Sequence, residues 1–149
     1  MKKFAIAVLA LASITGFWGA TAAFAGPIED RQAIMKGFAA PLREAAPMGR
    51  GAAPFDAAKV KSAMDQLAAG GEKFVTLFPK GTEAGGAVKT AALPAIWSDA
   101  AGFKAAGVKF VTDARAAAAA TDQAGFAAAL RTVQADCGAC HKTYRASAN

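Results

Sequence analysis

The sequence predicts an all-α protein folded as an antiparallel four-helix bundle, and three observations carry that prediction. Alanine supplies 43 of the 149 residues and has the highest intrinsic helix propensity. The strand-forming residues Val, Ile, Thr and Tyr are scarce, which argues against a β fold. Four stretches place apolar residues at alternating three- and four-residue steps, so each is a helix with one apolar seam. Four such seams cover one another most economically in a bundle, and the length sets a single domain.

Residues 1–25 stand outside this pattern. Lys2 and Lys3 make a positive start, an apolar stretch runs from Phe4 to about Ile14, and Ala23-Phe24-Ala25 has the small-x-small form of a signal-peptidase site. Ser13, Thr15 and Gly16 interrupt the stretch, which falls short of the roughly 20 residues a membrane span needs. A cleaved secretory signal over 1–25 is therefore expected. It leaves 26–149 as one helical domain, soluble in an exported, oxidising compartment.

Seventeen Lys and Arg against 11 Asp and Glu give a net charge of +6. The cations are scattered singly apart from Lys2-Lys3, so no basic cluster suited to nucleic acid is present.

The first helix opens at Pro27 and carries Ile28, Arg31, Met35, Phe38 and Leu42 along one face, with a kink expected near Pro41. Pro47-Met48-Gly49-Arg50-Gly51 and Pro54 read as a breaker-rich connection. Asp56 caps a second helix bearing Val60, Met64, Leu67, Gly71, Phe74 and Phe78. From Pro79 to about Leu93 the chain lacks periodicity and reads as a long surface loop. Pro94 opens a third helix with Ile96, Ala100, Phe103, Gly107, Phe110 and Ala114, fading into Ala116 to Ala120. Thr121 or Asp122 starts the last helix, whose seam is Phe126, Leu130, Val133, Cys137, Cys140 and Tyr144. Ala-rich seams bury little area per residue. Either a large apolar prosthetic group or the seven phenylalanines after residue 25 must fill the core.

Cys137-Gly138-Ala139-Cys140-His141 holds both cysteines and the sole histidine of the chain. C-x-x-C-H is the attachment signature of c-type haem: two thiols add to two vinyl groups, and the adjacent imidazole reaches the iron. A thioredoxin-like pair would need a βαβ setting. Structural zinc would lack a fourth Cys or His ligand. A plain disulfide would leave the histidine unexplained. With His141 used, a protein sixth ligand is most simply a thioether or an amine; of the methionines, Met35 and Met64 both lie on seams whereas Met48 lies in the Pro/Gly connection.

The position of this motif near the C-terminus, together with Ile96-Trp97-Ser98-Asp99, Pro54-Phe55-Asp56 and Arg31-Gln32-Ala33-Ile34-Met35-Lys36, resembles the cytochrome c′ family of class II c-type cytochromes. The resemblance implies a four-helix bundle enclosing one covalently attached haem c, its distal face against the first helix. The position of Met35 is apolar in five-coordinate, high-spin members that bind NO or CO. Low-spin members have a methionine there as sixth ligand. The resemblance therefore implies Met35 and His141 as iron ligands in a periplasmic electron carrier, not an enzyme, with the five-coordinate gas binder as the alternative. It also implies that Arg31 reaches a haem propionate and that Arg145 stands beside the proximal ligand. On spacing alone, Arg31 could be a solvated helix charge, and Arg145 with Lys142 could serve the helix C-terminus. Tyr144 and Trp97 read as packing residues. The expected partners are acidic redox proteins, and the resemblance allows a homodimer through the first two helices.

Overall fold

The computed structural model describes residues 26–85 and 88–147, so the secretory-signal expectation for 1–25 lies outside the described residues. In these described residues, six helical segments form four rods: α1 (Pro27–Gly37), α2 (Ala39–Gly49), α3 (Ala57–Phe74), α4 (Ala95–Ser98), α5 (Ala100–Ala118) and α6 (Gln123–Tyr144). Among the described residues there is no strand, and no helix is long and apolar enough to cross a membrane.

The first rod is α1 and α2, which break at Phe38. Pro41 explains the break, because its ring presses on the carbonyl four residues earlier, that of Gly37. The helix then runs further than its composition suggests. Pro47, Met48 and Gly49 form the last turn of α2 rather than a connection, and Met48 is buried in the core. Pro47 is tolerated there because a missing N–H so close to the helix end costs a single backbone bond.

Asp56 caps α3 by accepting from the Ala58 and Lys59 amides, both at 3.0 Å. The helix ends at Phe74 instead of Phe78, since Thr76 and Leu77 turn back to the carbonyls of Lys73 and Phe74. The third rod starts at Pro94 as expected, but Asp99 interrupts it. Its backbone leaves helical geometry while its carboxylate caps α5 through Gly102 N–H at 3.0 Å. Only then does the long helix run on into the alanine tract, with Ala117 and Ala118 buried. Asp122, not Thr121, caps α6 through Gly125 N–H at 2.8 Å.

α3 packs chiefly on α5 and α5 on α6, while α2 closes the other side against α3 and α6. α1 packs on α2 and α3 but not on α6. Two apolar clusters result. The larger, around Met64, Leu67, Phe126 and Val133, fills one end of the bundle. The smaller is aromatic, with Phe103 central to edge-on contacts with Phe78 at 4.7 Å and Tyr144 at 5.2 Å. Tyr144 also donates to Asp99 Oδ2 at 3.1 Å, and Trp97 Nε1–H donates to the Phe78 carbonyl at 3.1 Å. Both are packing residues, with their polar tips satisfied.

Gly71 lets α3 lie close against α5: a Cβ there would stand 2.8 Å from two Phe110 ring carbons. Gly71→Ala is expected to destabilise the protein, because overpacking costs about 1–3 kcal/mol against a gain in helix propensity of at most ~1 kcal/mol. Chemical denaturation of the haem-containing protein measures the difference. Equal or greater stability would show that the two helices part without strain.

Candidate haem site

α6 carries the motif into the interior. Cys137 and His141 are four residues apart and so share one helix face, with Cys140 adjoining. Both thiols are half-buried and free. Burial pushes both thiols up in pKa, with the charge of Asp136 adding at Cys137 and that of Cys137 adding at Cys140. They are therefore held protonated at neutral pH, opposite to the thiolate character of a reactive redox pair. Burial, then the positive charge of Arg145, pushes His141 below the usual imidazole range. A neutral imidazole is the form that can ligate a metal.

Two adjoining cavities of about 270 Å³ and 500 Å³ share walls made by Met35, Phe74, Phe103, Cys140, His141 and Arg145, and together form one cleft. Arg31 borders the smaller part and Cys137 the larger. All six site residues expected from the sequence thus meet around a single space. Since α1 and α6 do not pack on each other, Met35 and His141 face the cleft from separate elements. Met64 is fully buried in the larger cluster and borders neither cavity.

Arg31 is not a solvated helix charge. It is only 5% exposed. Nε–H donates to the Leu77 carbonyl at 2.6 Å, Nη1 donates to the Thr82 carbonyl at 3.2 Å, and Nη2 donates to the Thr82 hydroxyl. Its guanidinium also lies 4.0 Å from the centre of the Phe78 ring. Burial pushes its pKa down, while the carboxylate of Glu83 opposes that shift. The arginine thereby staples the loop after α3 onto α1. Gln32 adds a second tie, donating to the Lys89 carbonyl at 2.8 Å. The loop's far end pairs Ala92 with Arg145, through Leu93 N–H to Tyr144 O and Ala146 N–H to Ala91 O. Thr90, Ala91 and Ala92 consequently form one wall of the smaller cavity.

Sequence reasoning missed a charged cluster beside the motif. Lys109 of α5 bridges Asp113 at 2.5 Å and Asp136 of α6 at 2.6 Å. The Lys109–Asp113 half is legible as an i,i+4 pair. Asp136 joins only through the packing of two helices, which no local pattern announces. Its Oδ2 is buried without a hydrogen-bond partner.

The cleft suits a large planar apolar group. Its walls are chiefly aromatic and aliphatic, thiols lie on one side, and cations stand where a carboxylate-bearing edge could be held. Five of the seven phenylalanines after residue 25 line the cleft rather than fill it. That answers the question composition left open.

A family model described as Cytochrome C′ matches residues 26–145. The chain belongs to the cytochrome c′ family. A cytochrome c-556 from Agrobacterium fabrum is 44% identical over 123 residues, covering 81% of this chain and 82% of that protein. The solved structure of cytochrome c′ from Rhodopseudomonas palustris superposes with a TM-score of 0.76 at 34% identity, covering 84% of this chain and 99% of the other. A nitric oxide complex of a mutant cytochrome c prime from Alcaligenes xylosoxidans superposes at 0.71 with 35% identity, covering 83% and 99%. This cytochrome c′ family member is a c-type cytochrome of the electron-carrier class and carries covalently attached haem c with its iron.

Removing the Arg31 staple should loosen the loop before it harms the bundle. Arg31→Ala is expected to cost about 2 kcal/mol, in line with loss of hydrogen bonds to a charged group. Amide hydrogen exchange should accelerate across residues 77–92 while α3, α5 and α6 stay protected. Unchanged exchange in that loop would remove the staple from the account.

Proposed function

We propose that this cytochrome is a periplasmic electron carrier with a six-coordinate, low-spin iron, exported by a cleaved signal over 1–25. In this reading Cys137 and Cys140 each form a thioether to the haem. His141 and Met35 would ligate its iron. The observation that carries the reading is that Met35 and His141 border both parts of one cleft from helices that do not pack together. The haem supplies a one-electron Fe(III)/Fe(II) couple, which thioether ligation moves to higher potential than harder ligands would.

The chain's own residues prepare that chemistry. Burial, aided by the charge of Arg145, keeps the His141 imidazole neutral and ready to ligate. Arg31 holds the loop wall shut against water with three of its five N–H groups. Its remaining donors, with Arg145, offer positive charge to the haem carboxylates. Lys36, Lys142 and Arg145 are exposed on α1 and at the end of α6, and Lys36 and Arg145 border the cleft. They suit weak, salt-sensitive docking of an acidic redox protein.

The reading has a rival: an open sixth site that admits a gas, supported by the nitric oxide complex of the Alcaligenes relative. Two measurements test these assignments. Intact mass after acid-acetone extraction should exceed that of the bare polypeptide by one haem, and Cys137→Ala with Cys140→Ala should abolish the increment. The ferric wild type should show a low-spin spectrum with the weak near-infrared band of thioether ligation, and the ferrous form should bind CO slowly or not at all. Met35→Ala should turn it high-spin, lower its potential and open it to CO, whereas Met64→Ala should leave the spectrum nearly unchanged. High-spin wild-type protein that takes CO readily would transfer the function to the gas-binding reading.

A further inference from the structure

Beside the cleft, on the side of Cys137, lies a cluster that neither attachment nor ligation uses. Asp136 is 9% exposed, and its two oxygens are treated differently. Oδ1 accepts from Lys109 at 2.6 Å, while Oδ2 is buried with no hydrogen-bond partner. A buried carboxylate oxygen without a donor is costly, and the cost is lower for the neutral, protonated carboxyl than for the charged carboxylate. The second carboxylate, Asp113, competes for the same ammonium at 2.5 Å. Two carboxylates sharing one cation favour binding one proton between them. The cluster is also connected on both sides. Asp136 borders the larger cavity, whereas Lys109 and Asp113 reach solvent.

We infer that the Asp136 carboxyl, held beside Asp113 by Lys109 at the wall of the haem cleft, takes up a proton when the protein gains an electron. The inference rests on the haem-carrier reading above. One electron enters from the donor redox protein, taking Fe(III) to Fe(II), and one O–H bond forms at Asp136 Oδ2 with a proton from solvent. Lys109 keeps its own proton. Reoxidation by the acceptor protein returns the electron to that partner and the proton to water. The coupling is electrostatic: added negative charge in a poorly solvated cleft makes a neighbouring carboxylate harder to keep ionised. Burial first, then Asp113, already pushes Asp136 above the usual carboxylate range, against the opposing pull of Lys109. Asp113, bonded to Lys109, is pushed down, so the proton belongs on Asp136.

The other charged or titratable groups facing the larger cavity are Lys36 of α1, Cys137, Cys140 and His141 of α6, and Arg145 just after it. α2 and α3 present only apolar side chains and Gly71 to it. The two thiols are consumed by attachment in the proposed reading, and His141 by iron.

The test is the reduction potential as a function of pH, measured by optical titration on protein whose covalent haem has first been verified by mass. Protonation favours the reduced form, so the potential should be highest in acid, fall as pH rises past the oxidised-state pKa of Asp136, and level off above its reduced-state pKa. An about tenfold difference in proton affinity between the two states corresponds to about 59 mV between the plateaus. Asp136→Asn should flatten this fall, and a protonated-carboxyl band should disappear from the reduced-minus-oxidised infrared spectrum. Lys109→Gln, at an exposed position, should move the fall to higher pH and serves if Asp136→Asn does not fold. A flat wild-type profile overturns the inference, as does a fall unchanged in Asp136→Asn or unmoved in Lys109→Gln. Protein that carries no covalent haem would instead refute the attachment reading, which the mass measurement reports separately.

Discussion

Close packing is the constraint on which this structure depends, and the chain's own side chains do not meet it. Alanine seams let α3, α5 and α6 approach closely, to the point that Gly71 leaves no room for a methyl group against Phe110. That closeness does not extend across the whole interior. The two apolar clusters fail to merge, and Phe38 and Phe110 on one side and Phe74 and Phe103 on the other wall a cleft instead of closing it. Interiors tolerate few voids larger than a water molecule. An apolar cleft of this size is a liability for the polypeptide alone and an asset once a flat prosthetic group replaces the missing contacts. The same gap keeps α1 from packing on α6, which is what allows Met35 and His141 to stand across it.

Most of the elements were legible because they rest on local chemistry. Asp56 and Asp122 announce their helices as caps, and the C-x-x-C-H run gathers both thiols and the imidazole within five residues of one helix. Other features depend on contacts between segments. Pro47 and Gly49 carry the local signature of a connection, yet burial of Ala45, Ala46 and Met48 holds the helix through them. Asp99 breaks the third rod where apolar spacing alone predicts continuity, because it serves both the α5 amide and the Tyr144 hydroxyl. Arg31 could be read as a free charge or a site residue. Its burial is decided by a loop 46 to 51 residues further on, a distance over which spacing carries no information.

The long loop after α3 shows how an aperiodic segment is made into a wall. It has little core of its own, so its position is set at three points: Arg31 near its start, Gln32 at Lys89, and the short pairing of Ala92 with Arg145. Gly81, at φ +90°, takes the backbone through a region that L residues avoid, beside the Thr82 carbonyl and hydroxyl that Arg31 binds. Arg145 belongs to both arrangements. Its backbone ends α6 and pairs with the loop, while its charge lowers the basicity of His141. The His141 side of the cleft and its loop wall are therefore mechanically one unit.

Charge is distributed unevenly around the cleft, and this has a consequence for electron transfer. Arg31 borders only the smaller cavity and the carboxylate of Asp136 only the larger, while Lys36 and Arg145 border both. A carrier works best when little has to move as its charge changes. Arg31 is fixed by hydrogen bonds and by the Phe78 ring, so it answers a change of charge without reorienting. Asp136 is the opposite case, a group held in place whose protonation can change while its neighbours stay still. A rigid cation and a titrating acid on one cleft give the protein two distinct means of setting the energy of the electron. The first is constant with pH, and the second connects the buried site to the proton activity of the surrounding water.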